Sequence, residues 1–383
     1  MTAPAPSPVE LLVALARLAG VDDLVATAEL AAPSGGFDWP RLVAEAQAQK
    51  LLPSLWAGAR RCGLLEPLPD ALRRHFTSPQ GERPVPAVLE DAADDTRRRT
   101  HDLSAQLVEI LERCDALGIE AVPIKGSQLL VQSVWPEPDT RVMVDLDLVA
   151  EADAAPRLVD DLVARGWRPT PGPHKPWSHH LRGLRHPDHV GSVEIHTEVI
   201  SLGWQPALRA DALRRRSVAT SWRGRTVRVP SCSDAVLVAL LHGWLADEHR
   251  FRGTVPVRAT LDGLRLARAA TAGGAAVDWD HVAGGLARIH RSELLARHAL
   301  VAERWFGVAP PPGVTVGSAT RRWYARLEPV TAASGRPTAR LRRLPYALDA
   351  GRLHRYYGPG NLWRLRARRL AGMSGRSPRA LPS

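Results

Sequence analysis

The chain contains few cysteines and no long hydrophobic run. Cys62, Cys114 and Cys232 are the only cysteines in 383 residues, and their wide spacing argues against a disulfide framework or a cysteine-based metal site. No segment reaches 18 apolar residues without a charge or a break, so no membrane span is predicted. No basic residue precedes the first apolar stretch, which argues against a secretory signal. These absences predict a reduced, cytoplasmic protein.

Lysine is nearly absent although the formal net charge is +11. It occurs only at Lys50, Lys125 and Lys175, and arginine supplies the remainder of the 51 basic residues. An arginine-rich and alanine-rich composition is typical of a GC-rich genome, so the arginines alone are weak evidence for nucleic-acid binding. A lysine in so arginine-rich a chain is more informative about function than an arginine. Lys125 directly precedes Gly126, where a flexible ammonium suits a phosphate group, and chance placement is the alternative.

Apolar periodicity predicts an α+β fold in which a small mixed-sheet core lies between two helical regions. The expected parts are an N-terminal helical region (1–84), an α/β core (85–230), a C-terminal helical region (231–350) and a basic tail (351–383). The predicted helices are 9–18, 39–52, 55–61, 70–75, 88–117, 126–135, 153–165, 233–245, 257–270, 280–289 and 292–305. The predicted strands are 119–124, 141–149, 181–186, 192–200, 218–222 and 226–229, the last four forming two hairpins.

Two aspartates, Asp145 and Asp147, interrupt the apolar strand predicted at 141–149. Side chains alternate along a strand, so Val142, Val144, Leu146 and Leu148 are expected to face a core. Arg141, Met143, Asp145 and Asp147 are expected on the other face. Carboxylates in so apolar a strand are costly unless a cation meets them, and the candidates are Arg141 and a divalent metal ion.

Two further segments carry polar groups suited to phosphate and metal chemistry. Lys125, Gly126 and Ser127 lie where a predicted strand turns into a helix, so backbone amides and the Ser127 hydroxyl are expected to hold phosphate oxygens. In the strand at 192–200, Glu194 shares a face with His196 and Glu198. Three carboxylates beside a phosphate-binding turn predict phosphoryl or nucleotidyl transfer assisted by Mg²⁺ or Mn²⁺.

In this order, the segments resemble the uncharacterised nucleotidyltransferase family of the polymerase-beta superfamily. The resemblance covers roughly 85–300 and is specific around 122–149. Within it, 122–166 look like that family, and 193–196 matches its later Glu-x-His strand. The residues 240–242, 247–252 and 260–262 are similar to its helical C-terminal portion. Ser127 lies 18 residues before Asp145, a gap similar to that of the abortive-infection nucleotidyltransferase toxins.

The resemblance implies a metal-dependent nucleotidyltransferase that moves NMP from a nucleoside triphosphate to an acceptor. Asp145, Asp147 and Glu194 would be the catalytic and metal-binding residues. The nucleotide would contact four residues near the turn: Lys125, Gly126, Ser127 and Arg141. The acceptor stays open between a protein, a tRNA, a peptide natural product and a metabolite.

Simpler interpretations exist for each feature. The chain could be a catalytically degenerate member that binds a nucleotide or a partner, with Asp145 and Asp147 merely paired to arginines. His196 is expected to be a packed strand histidine. The group His174, His179, His180, His186 and His189 has no zinc-motif spacing, so solvated loop histidines are preferred. The tail from Gly351 to Ser383 has eight arginines and no acid, and it would either bind an anionic partner such as tRNA or be a frayed terminus.

Overall fold

The computed structural model describes residues 8–20, 39–64, 76–78, 81–83, 85–137, 140–171, 178–247 and 255–327. The predicted helix at 70–75, the basic tail, His174 and Lys175 lie outside these residues. None of the described helices is long and apolar enough to cross a membrane. The cysteines Cys62, Cys114 and Cys232 are all free thiols.

The described helices and strands follow the predicted order closely. The helices are α1 (Pro8–Ala19), α2 (Trp39–Ala48), α3 (Leu52–Arg61), α4 (Val85–Leu117), α5 (Lys125–Gln132), α6 (Ala155–Ala164), α7 (Ala210–Arg216), α8 (Cys232–Leu241), α9 (Val257–Ala272), α10 (Trp279–Arg288), α11 (Glu293–Phe306) and α12 (Ser318–Ala325). A 3₁₀ helix spans Leu202–Ala207, and a π-helical turn, His242–Ala246, continues α8. The strands are β1 (Phe76–Ser78), β2 (Gly81–Arg83), β3 (Ala121–Ile124), β4 (Asp145–Ala150), β5 (Arg168–Pro169), β6 (Leu184–Arg185), β7 (Ser192–His196), β8 (Val218–Trp222) and β9 (Arg225–Val229).

A mixed five-stranded sheet forms the centre of the fold, as predicted. Its strand order is β3-β4-β7-β6-β5. β4 is antiparallel to β3 and parallel to β7, and this register sets Asp147 beside Ile124 on one side and Glu194 on the other. The predicted hairpins are confirmed as β6–β7 and β8–β9. The β8–β9 turn uses Arg223 and Gly224, both with positive φ, which suits the twist of a two-residue hairpin.

The Asp-containing strand begins four residues later than predicted. β4 starts at Asp145, because β3 ends opposite Asp147 and β7 begins opposite Asp145, which leaves 141–144 without a strand partner. The predicted inward positions Val142 and Val144 are therefore wrong. Val144 is 42% exposed, Val142 is half-buried, and the predicted outward residue Met143 is buried in the core.

The sheet is covered differently on its two faces. Leu146, Leu148, Val193 and Ile195 are buried in a core shared with α4 and α6. On the other face Val149 packs into a core built around α8. Asp147 and Glu194 alternate with the residues of the first core and therefore lie on the α8 side. A third core joins α1, α2 and α3 to α9 and α11. A short hairpin, β1–β2, precedes α4, which begins at Val85.

His189, in the loop before β7, links that loop to α4. Its Nδ1 lies 3.3 Å from Asp102 Oδ1 and its Nε2 lies 3.0 Å from Glu109 Oε2, so only the imidazolium donates to both carboxylates. Burial opposes this charge, but the bonds to Glu109 and Asp102 raise the pKa of His189 overall. The neighbouring Trp167 and His186 rings pack against it.

We expect His189→Gln to destabilise the protein more at acidic than at alkaline pH. A raised pKa in the folded state means that the contribution is complete below the unfolded pKa and is lost as the pH rises through the folded pKa. Free energies of unfolding measured at about pH 5.5 and pH 9 test this, with the two pH values set either side of a histidine pKa of about 6.5. His101→Gln, at an exposed site on α4, is the matched control. An equal destabilisation at both pH values would contradict a protonated His189 that donates to both carboxylates.

Candidate active site

The candidate site begins where β3 ends and α5 starts. Ile124 is extended, and the next residue, Lys125, adopts a left-handed backbone with φ of 52°. This conformation costs a non-glycine residue about 1–2 kcal/mol. It opens α5 with the lysine side chain next to β4, where Nζ donates to Asp147 Oδ1 at 2.8 Å.

Asp147 is the most connected group in the site. Its buried carboxylate accepts hydrogen bonds on Oδ1 from Lys125 Nζ and His196 Nε2, each at 2.8 Å. Burial alone would raise the pKa of Asp147, but the Lys125 ammonium and the His196 bond lower it well below its ordinary value. Asp147 is therefore an anion held by two donors on one oxygen. Oδ2 makes no hydrogen bond within the part of the chain that the structure describes.

Asp145 lies two residues away in a contrasting environment. It is half-buried at the start of β4 and makes no hydrogen bond or ion pair with any described residue. Burial, followed by the charge of Asp147, raises the pKa of Asp145. The predicted Asp pair thus consists of one carboxylate that two hydrogen-bond donors hold and one that has no hydrogen-bond donor among the described residues.

Glu194 and His196 bring β7 into the site. Oxygen and nitrogen atoms of Asp147, Glu194 and His196 all lie within 4.8 Å of one another. Burial raises the pKa of Glu194, and it lowers the pKa of the fully buried His196 to about 4. At neutral pH His196 is uncharged and its Nε2–H donates to Asp147. The predicted packed histidine thus also orients a site carboxylate.

Two loop histidines lie against this strand instead of being solvated as expected. The backbone N–H of Thr197 donates to His179 O at 3.0 Å, which adds the loop to the end of β7. The ring centroids of His179 and His180 lie 5.1 and 5.2 Å from that of His196. His180 Nε2 is 3.6 Å from Glu194 Oε2. These two histidines border the Glu194 side of the site, a long-range contact that sequence spacing does not reveal.

Arg141 does not form the direct counter-charge to the Asp pair that the sequence predicted. Its Nε and Nη2 donate to Asp262 on α9 at 3.0 and 2.9 Å, and Trp135 Nε1 also donates to Asp262 at 2.8 Å. Both members of the ion pair are buried. Lys125 takes the expected place of Arg141 at the Asp pair. Arg141 still borders the same cleft.

Ser127 and Glu198 are also placed differently from the prediction. Ser127 is fully buried, and its Oγ accepts a hydrogen bond from the Asp147 backbone N–H at 2.8 Å. The hydroxyl thus holds the backbone of Asp147, and Ser127 is not among the residues that line the cleft. Glu198 lies beyond the end of β7, where it accepts from the Ala210 N–H at the start of α7 and pairs with Arg209.

A cleft of about 190 Å³ opens beside Lys125, Gly126, Asp145 and Asp147. α8 and α9 form its other wall. Gly126 is required at this wall because a Cβ there would lie 2.7 Å from Arg141 Nη1. The polar lining that the sequence interpretation did not assign to the site is Lys50, Gln128, His242, Asp247, Arg258 and Asp262. His242, Asp247 and Asp262 lie in segments that resemble the family's helical C-terminal portion, and Lys50 is one of only three lysines. No sequence signal singled out Gln128 or Arg258.

The ligand atoms of Asp147, Glu194 and His196 lie close enough together to hold one divalent metal ion, and Asp145 is not part of that group. Asp145 and Asp147 Oδ2 are free of hydrogen bonds from described residues, and Glu194 has only His180 and His196 nitrogens at 3.6 and 3.7 Å, beyond normal hydrogen-bond length. Carboxylates with open positions suit Mg²⁺ or Mn²⁺, and a neighbouring imidazole is compatible with Mn²⁺.

A family model described as an uncharacterised nucleotidyltransferase covers residues 35–307, which include the cleft and both of its walls. No curated protein matches the chain.

Proposed function

The chain belongs to the uncharacterised nucleotidyltransferase family, and from this premise we propose that it transfers NMP from a nucleoside triphosphate to an acceptor hydroxyl. The observation that carries the proposal is a set of carboxylates on two adjacent parallel strands: Asp145 and Asp147 line the cleft, and Glu194 lies beside Asp147. We further propose that the arrangement is of the polymerase-beta type and shares its spacing with the abortive-infection toxins.

The proposed reaction is a displacement at the α-phosphorus of the nucleoside triphosphate. The acceptor oxygen forms a bond to the α-phosphorus, the bond from that phosphorus to the bridging oxygen breaks, and pyrophosphate leaves. Glu194 is the better base for the acceptor proton, because Asp147 already accepts two short hydrogen bonds on Oδ1. Lys125, Gly126 and Arg141 border the cleft and would contact phosphate oxygens. Ser127 would act indirectly by holding Asp147.

Asp145, Asp147 and Glu194 would hold Mg²⁺ or Mn²⁺. When bound, the metal ion supplies charge stabilisation at the phosphate oxygens and helps to activate the attacking hydroxyl. The protein supplies position: the β4–β7 register sets the two strands, and Lys125 and His196 fix one oxygen of Asp147 so that the other points away from them.

The alternative of a catalytically degenerate member makes a distinct geometric prediction. In that case the three carboxylates need not converge beside the Gly126 turn. Asp147 and Glu194 lie together, Asp145 and Asp147 line the cleft beside Gly126, and Asp145 has no arginine partner among the described residues, which supports the catalytic proposal. A degenerate protein would bind nucleotide without turnover.

The test is a screen of the four nucleoside triphosphates, each labelled on the α-phosphate, with Mg²⁺ or Mn²⁺ and total cell extract. The proposal predicts that the protein labels an extract component and that Asp145→Ala and Asp147→Ala both abolish the labelling. Labelling that persists in both variants would contradict the proposal. The labelled species identifies the acceptor class, and a tRNA product would direct attention to the tail at 351–383, whose deletion should then reduce salt-dependent tRNA binding.

A further inference from the structure

Four cationic side chains from different parts of the fold line the cleft. Lys50 follows α2, Lys125 opens α5, Arg141 precedes β4, and Arg258 lies in the first turn of α9. Two of the three lysines in the whole chain are therefore at this one cavity. Both have left-handed backbones, with φ of 57° for Lys50 and 52° for Lys125. Lys50 is the residue at which α2 ends in a Schellman-type turn, because the N–H groups of Lys50 and Leu51 donate to carbonyls of the last turn of α2, so the helix end explains its backbone. Lys125 begins a helix instead, and its left-handed backbone costs conformational energy.

The four cations differ in how far they are neutralised. Lys125 is paired with Asp147 at 2.8 Å, and Arg141 is paired with Asp262 at 2.9 Å. Within the described residues, Arg258 and Lys50 form no hydrogen bond or ion pair through their side chains. Burial and the neighbouring Arg141 lower the pKa of Arg258 by more than the carboxylates of Asp262, Asp247 and Asp145 raise it. A partly buried guanidinium that lacks a partner is costly, and an anionic ligand would remove that cost.

Arg141 also offers a free nitrogen to the cleft. Its two bonds to Asp262 use Nε and Nη2, whereas Nη1 lies on the Gly126 side, where a Cβ would approach it to 2.7 Å. Nη1 makes no hydrogen bond with the described part of the chain. The Asp262 pair therefore fixes the guanidinium plane and leaves one N–H edge directed at the cavity.

We propose that Arg258 and Lys50, with Nη1 of Arg141, form a receptor for the pyrophosphate portion of the nucleotide. This inference rests on the proposed function and deepens it. It places the β- and γ-phosphates against the end of α2 and the start of α9, and not on the Ser127 hydroxyl. The same groups would stabilise the charge that collects on pyrophosphate as it leaves.

The test is direct binding of inorganic pyrophosphate, measured by calorimetry at fixed ionic strength, without nucleotide and with a chelator present. We expect Arg258→Gln to raise the Kd for pyrophosphate roughly tenfold to a hundredfold, because it loses charge-assisted hydrogen bonds. Arg258→Lys keeps the positive charge but loses the planar guanidinium, so its Kd for pyrophosphate should lie between those of the unmodified protein and Arg258→Gln. Lys50→Gln should weaken binding in the same direction. Arg268→Gln, exposed on the same helix and outside the cleft, should bind as the unmodified protein does.

Failure of the receptor and failure of the proposed function are distinguishable. Asp145→Asn should lose nucleotidyl transfer and still bind pyrophosphate. If no nucleotidyl transfer is detected but Arg258→Gln no longer binds pyrophosphate, the proposed anion receptor is supported and the proposed transfer function is wrong. If the unmodified protein does not bind pyrophosphate, or folded Arg258→Gln binds it equally well, the receptor is wrong.

Discussion

Replacing Asp145 by asparagine should reduce nucleotidyl transfer by roughly a hundredfold to a thousandfold or more while leaving the protein as stable as before. Asp145 makes no hydrogen bond or ion pair within the described structure, and burial together with Asp147 already raises its pKa. Its charge is therefore a cost to folding, and removing it should leave the free energy of unfolding unchanged or higher. The loss of activity would then reflect the missing metal ligand.

Asp147→Asn provides the contrast. It should lose activity similarly, but it should also lower the free energy of unfolding by about 3 kcal/mol, because the buried Lys125 and His196 lose their anionic acceptor. Asp153→Asn, at an exposed position after β4, should change neither property. Turnover and denaturant unfolding measured on all three variants test the pattern. Full activity in Asp145→Asn, or equal destabilisation by Asp145→Asn and Asp147→Asn, would contradict it.

Asp262→Ala should cost about 3–5 kcal/mol of stability, the largest effect expected for a single substitution in this cleft. It removes the acceptor for Trp135 Nε1 and for both bonds from the buried Arg141 guanidinium. These bonds join α9 to the segment before β4. An uncompensated charge would then remain in the wall of the site. The free energy of unfolding in denaturant measures the loss.

A double replacement tests whether the lost stability comes from the stranded charge. Arg141→Met with Asp262→Leu removes both charges at similar volume, so it should recover much of the stability but not nucleotide binding. Asp160→Ala, exposed on α6, should remain within about 0.5 kcal/mol of the unmodified protein. A double variant as unstable as Asp262→Ala would mean that shape, rather than the unpaired guanidinium, causes the loss.

The alternation of apolar and polar residues along the chain predicted the mixed sheet and the face that carries its carboxylates. Strand alternation alone set Asp145 and Asp147 together, and the β7 pattern set Glu194 on the side that the structure places beside Asp147. The start of β4 was missed because a strand begins where a partner is available, and β3 has ended before 141–144 can pair. Partner availability is a property of the sheet and cannot be deduced from the alternation of one segment.

Pairings across the chain were the main source of error. Arg141 and Asp262 are 121 residues apart, so sequence proximity to the Asp pair misleadingly suggested a closer partner. Ser127 was expected to hold phosphate, but the tight packing of α5 on β4 turns its hydroxyl toward the Asp147 N–H. Arg258 could not be distinguished from dozens of other arginines, whereas Lys50 could at least be noticed by its rarity.

The most direct test of the central claim compares nucleoside triphosphate labelled on the α-phosphate with the same nucleotide labelled on the γ-phosphate. With Mg²⁺ or Mn²⁺ and the acceptor found in the extract screen, the α-label should enter the acceptor and the γ-label should leave as pyrophosphate. With Asp145→Asn, the α-label should not enter the acceptor and the γ-label should not be released as pyrophosphate. Transfer of the γ-label to the acceptor, or α-label transfer that Asp145→Asn leaves intact, would contradict a nucleotidyltransferase centre on β4 and β7.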